Sequence, residues 1–289
     1  MKNLILSAFI ICSASVQAHS ATTGGTRFHN ESTDTIRINE MLLDAESAVG
    51  QASPEAKVAY IGKMLIGTPY KSGTLESDQE VLTVNLDEVD CTTYVDYVLA
   101  MAYTLEESRT SWRDFTYNLQ RMRYRKGEIN GYASRLHYIS DWIVDNSYRG
   151  NLKEATSNFP AYEYQEKTLD FITSNKDKYP ALKDSAEYER MRNAEIGYRR
   201  HRYPYIKTSR LSNKEIVKAL KEGDVICITT RTPGLDVQHM GIVVKQDGIP
   251  YLMHASSAAG KVIIDALPLS DYLKKNRSAN GIRVIRLNQ

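Results

Sequence analysis

The chain has 289 residues, with 37 Lys and Arg against 35 Asp and Glu, 42% hydrophobic residues and only three cysteines. The nearly balanced charge removes any global electrostatic case for nucleic acid or a membrane surface, and the ordinary apolar content excludes a disordered chain. Three cysteines without a CxxC pair supply neither a disulfide scaffold nor a structural zinc site, so each one calls for its own explanation.

Residues 1–18 combine Lys2, the apolar stretch Leu4 to Cys12 and the small-residue site Val16-Gln17-Ala18, the pattern of a cleaved signal peptide. The apolar run is far short of the roughly 18–20 residues that span a bilayer. Cys12 raises the alternative of an acylated lipoprotein, but Ile11 stands where such sites carry a small residue. The expected mature protein is therefore exported, periplasmic or secreted, and begins near His19. Two thiols remain, Cys91 and Cys227, in a compartment where disulfides can form.

Residues 19–52 read as an N-terminal arm, and 19–35, rich in Thr, Ser, Gly and Asn, as a loose one. A single domain follows from 53 to 289. Ser53-Pro54-Glu55 provides an N-cap, a first-turn proline and an early acid for a helix running to Ile66 and stopping at Gly67. Residues 71–89 lack a period and read as a surface connection. From Asp90 a second helix carries Cys91, Tyr94, Val95, Val98, Leu99, Ala102 and Leu105 on one stripe of 3.6-residue period. A polar, Tyr- and Arg-rich insert at about 106–210 is expected to be mostly helical. Ser212-Asn213-Lys214-Glu215 is a capping-box pattern for a short helix ending at Gly223.

Beyond Gly223 the texture changes to short runs rich in β-branched residues, at 225–230, 237–245, 250–256, 261–267 and 282–287. Helices first and an antiparallel sheet afterwards define an α+β fold. Asp247-Gly248 is a hairpin-turn dipeptide between two of the strands. As a two-residue turn it pairs Gln246 with Ile249; a four-residue loop would instead pair His239 with His254. Both registers have the same parity and place the two histidines on one face, diagonal or directly opposite.

Cys91 falls in the first turn of its helix, where the helix field favours a thiolate and free N–H groups could meet an oxyanion. A buried, inert thiol is the alternative use of such a residue. With two histidines on one strand face, the set Cys91, His239 and His254 can act as nucleophile, general base and orienting group. The same three residues could also ligate zinc, but the helix position favours a free thiolate, so no metal is expected. Cys227, inside a strand, reads as a core thiol; a Cys91–Cys227 disulfide, which would block the nucleophile, stays open.

The segments GTPY (67–70), VDCTTYVDYV (89–98), GDVICI (223–228), GLDVQHMGIVV (234–244) and YLMHAS (251–256) occur in this order. Together they resemble the NlpC-type cysteine peptidases of bacterial cell walls, a papain-like fold. The DCTT segment, SRLHYISDW (134–142) and RYPYIK (202–207) are more similar still to that superfamily's N-acetylmuramoyl-L-alanine amidase-like branch. Tyr94 and Asp96 depart from the Phe and Glu expected there, neither at a catalytic position. The resemblance implies a helix-borne Cys packed on a five- to six-stranded antiparallel sheet with a large helical insert, making 53–289 one catalytic domain. It implies cleavage of the amide between the lactyl group of N-acetylmuramic acid and L-Ala, in peptidoglycan or its fragments, through a thioester. Catalytic roles pass to Cys91, His239 and His254, and Tyr70 would line the site and help bind the oxyanion.

Arg135, His137 and Tyr138 are candidate substrate contacts, since Arg can hold a carboxylate and His or Tyr can bond sugar or peptide groups. Asp236 could bind substrate or cap a turn. No cofactor, nucleic acid or integral membrane segment is expected; the partner is a peptidoglycan or muropeptide substrate, and the protein is expected to be a monomer. A stem-peptide endopeptidase and a non-catalytic cell-wall binding module are the competing functions.

Overall fold

The computed structural model describes residues 22, 23 and 25–288; the expected signal peptide, with Cys12, lies outside them. Short strands β1 (Thr22–Thr23) and β2 (Thr26–Phe28) lead into helix α1 (Glu31–Val49), capped by the Asn30 side chain. Helix α2 (Pro54–Met64) follows with Ser53 as N-cap and Pro54 in the first turn, ending near the expected stop. Next come β3 (Leu82–Val84), α3 (Cys91–Glu106), α4 (Trp112–Arg123) and α5 (Ile139–Tyr148). The insert continues through β4 (Leu152–Glu154), β5 (Glu163–Lys167), α6 (Phe171–Ser174), α7 (Ser185–Ile196) and β6 (His201–Lys207). The C-terminal part is α8 (Lys214–Ala219), β7 (Val225–Thr230), β8 (Val237–Gln246), β9 (Ile249–Ser256), β10 (Lys261–Pro268), α9 (Leu269–Lys275) and β11 (Ala279–Leu287).

The result is a mixed α+β fold built on a large antiparallel sheet. Its strands run in the order β10-β9-β8-β7-β11-β6-β5, with β4 added to β11, eight in all. The five strands read from the β-branched runs form its continuous stretch from the β10 edge to β11, and the insert contributes the remaining three beyond β11. Asp247 and Gly248 both have positive φ and form a two-residue turn, so Gln246 pairs with Ile249 and the diagonal register holds.

Each sheet face buries a different layer. On one, Val225, Cys227, Met240, Ile242, Met253 and Val262 join the core made by α1 to α5. On the other, Ile226, Ile228, Val243, Leu252 and Ile282 pack against Ile216 of α8 and Leu269 and Leu273 of α9. Helix α2 comes so close to the sheet that a Cβ at Gly62 would sit 2.5 Å from Met253 Cε and 2.8 Å from the Tyr94 hydroxyl. The two departures from the expected motif are accounted for by packing. The Tyr94 hydroxyl donates to the Gly62 carbonyl at 3.2 Å, and Asp96 accepts from Arg123 Nε at 2.9 Å in a buried pair.

Four sequence expectations need correction or refinement. The described part of the expected arm packs into the core, and residues 25–35 are not loose: Phe28, Ile38, Leu42 and Ala45 are completely buried, and this apolar stripe outweighs the polar composition around it. Residues 71–89 are not only a surface connection, because Leu82–Val84 pairs in parallel with Thr26–Phe28 and is buried. The insert is helical in the main but not throughout, since β5 and β6 form an antiparallel pair that extends the main sheet. The short helix after residue 212 is capped by Asn213 and ends at Ala219, short of Gly223. No helix among the described residues is long and apolar enough to cross a membrane.

Leu42→Ala should therefore cost about 2–5 kcal/mol of unfolding free energy by denaturant titration. A change within about 0.5 kcal/mol is what a loose, exposed arm would give.

Candidate active site

Asp90 sets the start of α3. Its side chain accepts from the N–H groups of Thr92 (3.1 Å) and Thr93 (2.8 Å), and Thr93 Oγ1 accepts from the Asp90 N–H at 2.8 Å. This reciprocal capping box places Cys91 in the first turn, as expected. It also occupies two of the N–H groups that would otherwise be free at the helix end. The backbone N–H groups of Met240 and of Cys91 itself act on the Cys91 sulfur in favour of its charged form, and the Thr92 hydroxyl lies 4.0 Å away.

Met240 follows His239 in β8, so its N–H brings the thiol to the strand segment that carries the first imidazole. His239 Nε2 and His254 Nδ1 are 2.6 Å apart, with the two rings nearly perpendicular. Strand pairing explains the meeting: the tight turn puts both histidines on the α9 side of the sheet, diagonal across β8 and β9. A register shift beside Ile228 and His239 adds an irregularity where β8 enters the site. Tyr70 is held near Cys91 by its backbone, which bonds Gly260 and bridges to Val89.

Two residues not anticipated from the sequence complete the surroundings. Tyr272 of α9 lays its ring edge-on to His254, with centroids 5.4 Å apart, and lies close enough to Cys91 for the ionised forms of the two to interact. Asp265 of β10 places Oδ2 at 3.7 Å from His254 Nε2. Tyr272 carries no sequence signal, and Asp265 shows only as a polar break in an apolar strand run.

The electrostatics differ from the resting thiolate that helix position suggested. Cys91 keeps some exposed surface, but burial of the sulfur, reinforced by the negative charge of Asp90, pushes the thiol up to about 11. Burial also pushes the His239 imidazole down to about 3, with His254 adding to the shift. His254 is lowered by burial and partly restored by Asp265. At neutral pH these surroundings favour a neutral thiol and a neutral imidazole. Burial raises the Tyr70 phenol, which stays protonated and able to donate.

The other sequence candidates are engaged in the structure. Arg135 is buried, bonds Glu76 at 2.8 Å, lies 3.5 Å from Glu80 and stacks over Tyr132. His137 Nε2 meets the Tyr132 carbonyl at 2.8 Å, and burial pushes its imidazole down to about 3. The Tyr138 hydroxyl donates to Glu195 at 2.7 Å and accepts from the Ile172 N–H. Asp236 is fully buried and accepts from the N–H groups of Ser140 (2.5 Å), in the first turn of α5, and Val237 (2.8 Å), so it caps a distant helix start rather than its own turn. Cys227 is buried in the core and unbridged, and Cys91 is also free. Among the described residues, no group of three or more His, Cys, Asp or Glu is arranged to hold a metal ion.

Residues 60–282 match the model of the AmiA-like family, described as N-acetylmuramoyl-L-alanine amidase-like. The chain is similar to the crystal structure of an N-acetylmuramoyl-L-alanine amidase from Bacteroides uniformis, with 38% identity and a TM-score of 0.77 over 82% of this chain and 99% of that one. A Bacteroides fragilis protein, provisionally named a xylanase, is 43% identical with a TM-score of 0.73, over 78% of this chain and 99% of its own. A Legionella pneumophila protein shares the fold at 23% identity, with a TM-score of 0.69 over 90% and 97% of the two chains. No curated protein is similar to this chain.

The ultraviolet difference between the wild type and C91A isolates the Cys91 thiolate. It should be absent at pH 7 and grow in only as pH approaches about 11. A full thiolate signal at pH 7 would mean that the pair rests as thiolate and imidazolium.

Proposed function

Since the chain belongs to the N-acetylmuramoyl-L-alanine amidase-like family, we propose that it is an exported cysteine amidase with a papain-like NlpC-type core. Its substrate is the amide between the lactyl group of N-acetylmuramic acid and L-Ala, in peptidoglycan or its turnover fragments. The observation that carries this reading is the Cys91 sulfur held against the Met240 N–H, next to the His239–His254 pair.

The steps follow from the neutral pair. As the Cys91 sulfur attacks the lactyl carbonyl, its proton passes to Nδ1 of His239, because Nε2 is engaged with His254. The negative charge moves from sulfur to the carbonyl oxygen. There it meets the Cys91 N–H and the Tyr70 hydroxyl; the Thr92 and Thr93 N–H groups are taken by Asp90. His239 then protonates the L-Ala nitrogen, the C–N bond breaks and the muramoyl-lactyl group remains as a thioester. Water, deprotonated by the same imidazole, releases the acid and restores the thiol. Burial serves this order of events, since an imidazole that is neutral well below pH 7 is ready to accept the proton.

Export rests on the pattern of residues 1–18, and N-terminal sequencing of the exported protein should begin near His19. The reaction is tested with defined muropeptides and mass spectrometry. The wild type should release peptides with a free L-Ala amine, and C91A should lose about 10⁴-fold or more in kcat. Cleavage after D-Glu would make the protein an endopeptidase, and binding without cleavage would leave a non-catalytic module. Activity lost to EDTA would indicate a metal mechanism.

A further inference from the structure

His254 Nε2 is buried and makes no hydrogen bond among the described residues, although burying a ring nitrogen without a partner is costly. Asp265 faces it from the neighbouring strand, where Ile263 of β10 is the cross-strand partner of His254. One oxygen of Asp265 is fixed by the Leu267 N–H at 2.9 Å, and the other, Oδ2, points to Nε2 from 3.7 Å. His254 is 2% exposed, so little solvent competes for that nitrogen. At that separation the Asp265 carboxylate already acts on the His254 imidazole.

We propose that Asp265 is a positioning residue that fixes the tautomers of both histidines. The logic is forced by donor and acceptor roles and rests on the cysteine-amidase reading above. A carboxylate only accepts, so Nε2 of His254 must carry the proton and its Nδ1 must present a lone pair. At 2.6 Å, that lone pair takes the Nε2–H of His239. The proton of His239 is thereby held on Nε2, and Nδ1 is left free to receive the thiol proton. Without Asp265, His254 can place its proton on Nδ1 instead. His239 Nε2 would then become the acceptor and its proton would sit on Nδ1, where it blocks the base.

The test uses D265N and D265E in the full chain. D265N keeps a carbonyl acceptor for the Leu267 N–H, so a purely structural role predicts a variant resembling the wild type. The proposal predicts that histidine ¹⁵N NMR of the wild type shows His254 protonated at Nε2 and His239 at Nε2. In D265N, whose amide can donate to Nε2 as well as accept, a second tautomer should appear. On muropeptide, D265N should lose about 10- to 100-fold in kcat with KM little changed, the scale of losing an outer orienting partner. D265E, which keeps the carboxylate, should restore the single tautomer and most of the rate. An unchanged tautomer pattern in D265N, or a wild-type pattern with Nδ1 of His254 protonated, overturns the proposal. The NMR result stands apart from catalysis: a wild type without cleavage would sink the amidase reading and leave the tautomer assignment decided on its own.

Discussion

Helix α3 has almost no face left to solvent: every side chain from Thr93 to Ala102 is buried, so packing against α2, α4, β8 and β9 sets its position and Asp90 sets where it begins. The capping box contributes on the order of 1 kcal/mol to helix stability, a modest amount with a large geometric effect. Shifting the start by one residue would rotate Cys91 by about 100° around the axis and carry the sulfur away from the Met240 N–H. The cap has an electrostatic cost as well. The carboxylate that satisfies two helix N–H groups is a negative charge next to the sulfur, and it opposes the helix field that would lower the thiol.

The second half of the site is set by a turn. With Asp247 and Gly248 at positive φ, β8 and β9 can pair in only one tight register, and the histidines inherit one face from it. A slip of one residue on either strand would send one imidazole to the side occupied by Met240 and Met253. The sheet's position between two cores makes such a slip expensive, because every apolar residue of that strand would change sides together.

Much of this arrangement was legible because its signals are local. Ser53-Pro54 and Asp90 announce helix starts, the stripe from Tyr94 to Leu105 announces a buried face, and the dipeptide Asp247-Gly248 fixes parity. What escaped depends on distant partners. Strand Leu82–Val84 exists because Thr26–Phe28 lies beside it, more than fifty residues away in sequence. The polar strand Glu163–Lys167 alternates half-buried and exposed residues and is held by pairing with His201–Lys207 rather than by its own hydrophobicity. At the site, Arg135, His137 and Tyr138 have the residue types of substrate contacts, but residue type does not reveal that Glu76, Glu80, Tyr132 and Glu195 already engage them. Asp265 was missed for the converse reason: one acid in a strand carries no signal until β10 is seen lying against β9.

Burial and capping together decide how negative charge can be handled in this site. A dry thiol with Asp90 beside it stays protonated at neutral pH, so in the proposed amidase mechanism a base must take its proton in the same step as the attack. The lowered imidazole of His239 is neutral and available, yet it is a weak base for the same reason. Under that proposal the attack becomes favourable only if the charge leaving sulfur is received elsewhere at once, which places the burden on the few donors not already used. The Thr92 and Thr93 N–H groups are spent on the cap, while the Cys91 N–H and the Tyr70 hydroxyl are local to the sulfur and unspent on helix structure. A substrate that seats its carbonyl oxygen between those two donors supplies the missing compensation. One whose carbonyl misses them leaves the proton on sulfur, so the same desolvation that silences the resting thiol also makes nucleophilicity conditional on a correctly placed amide.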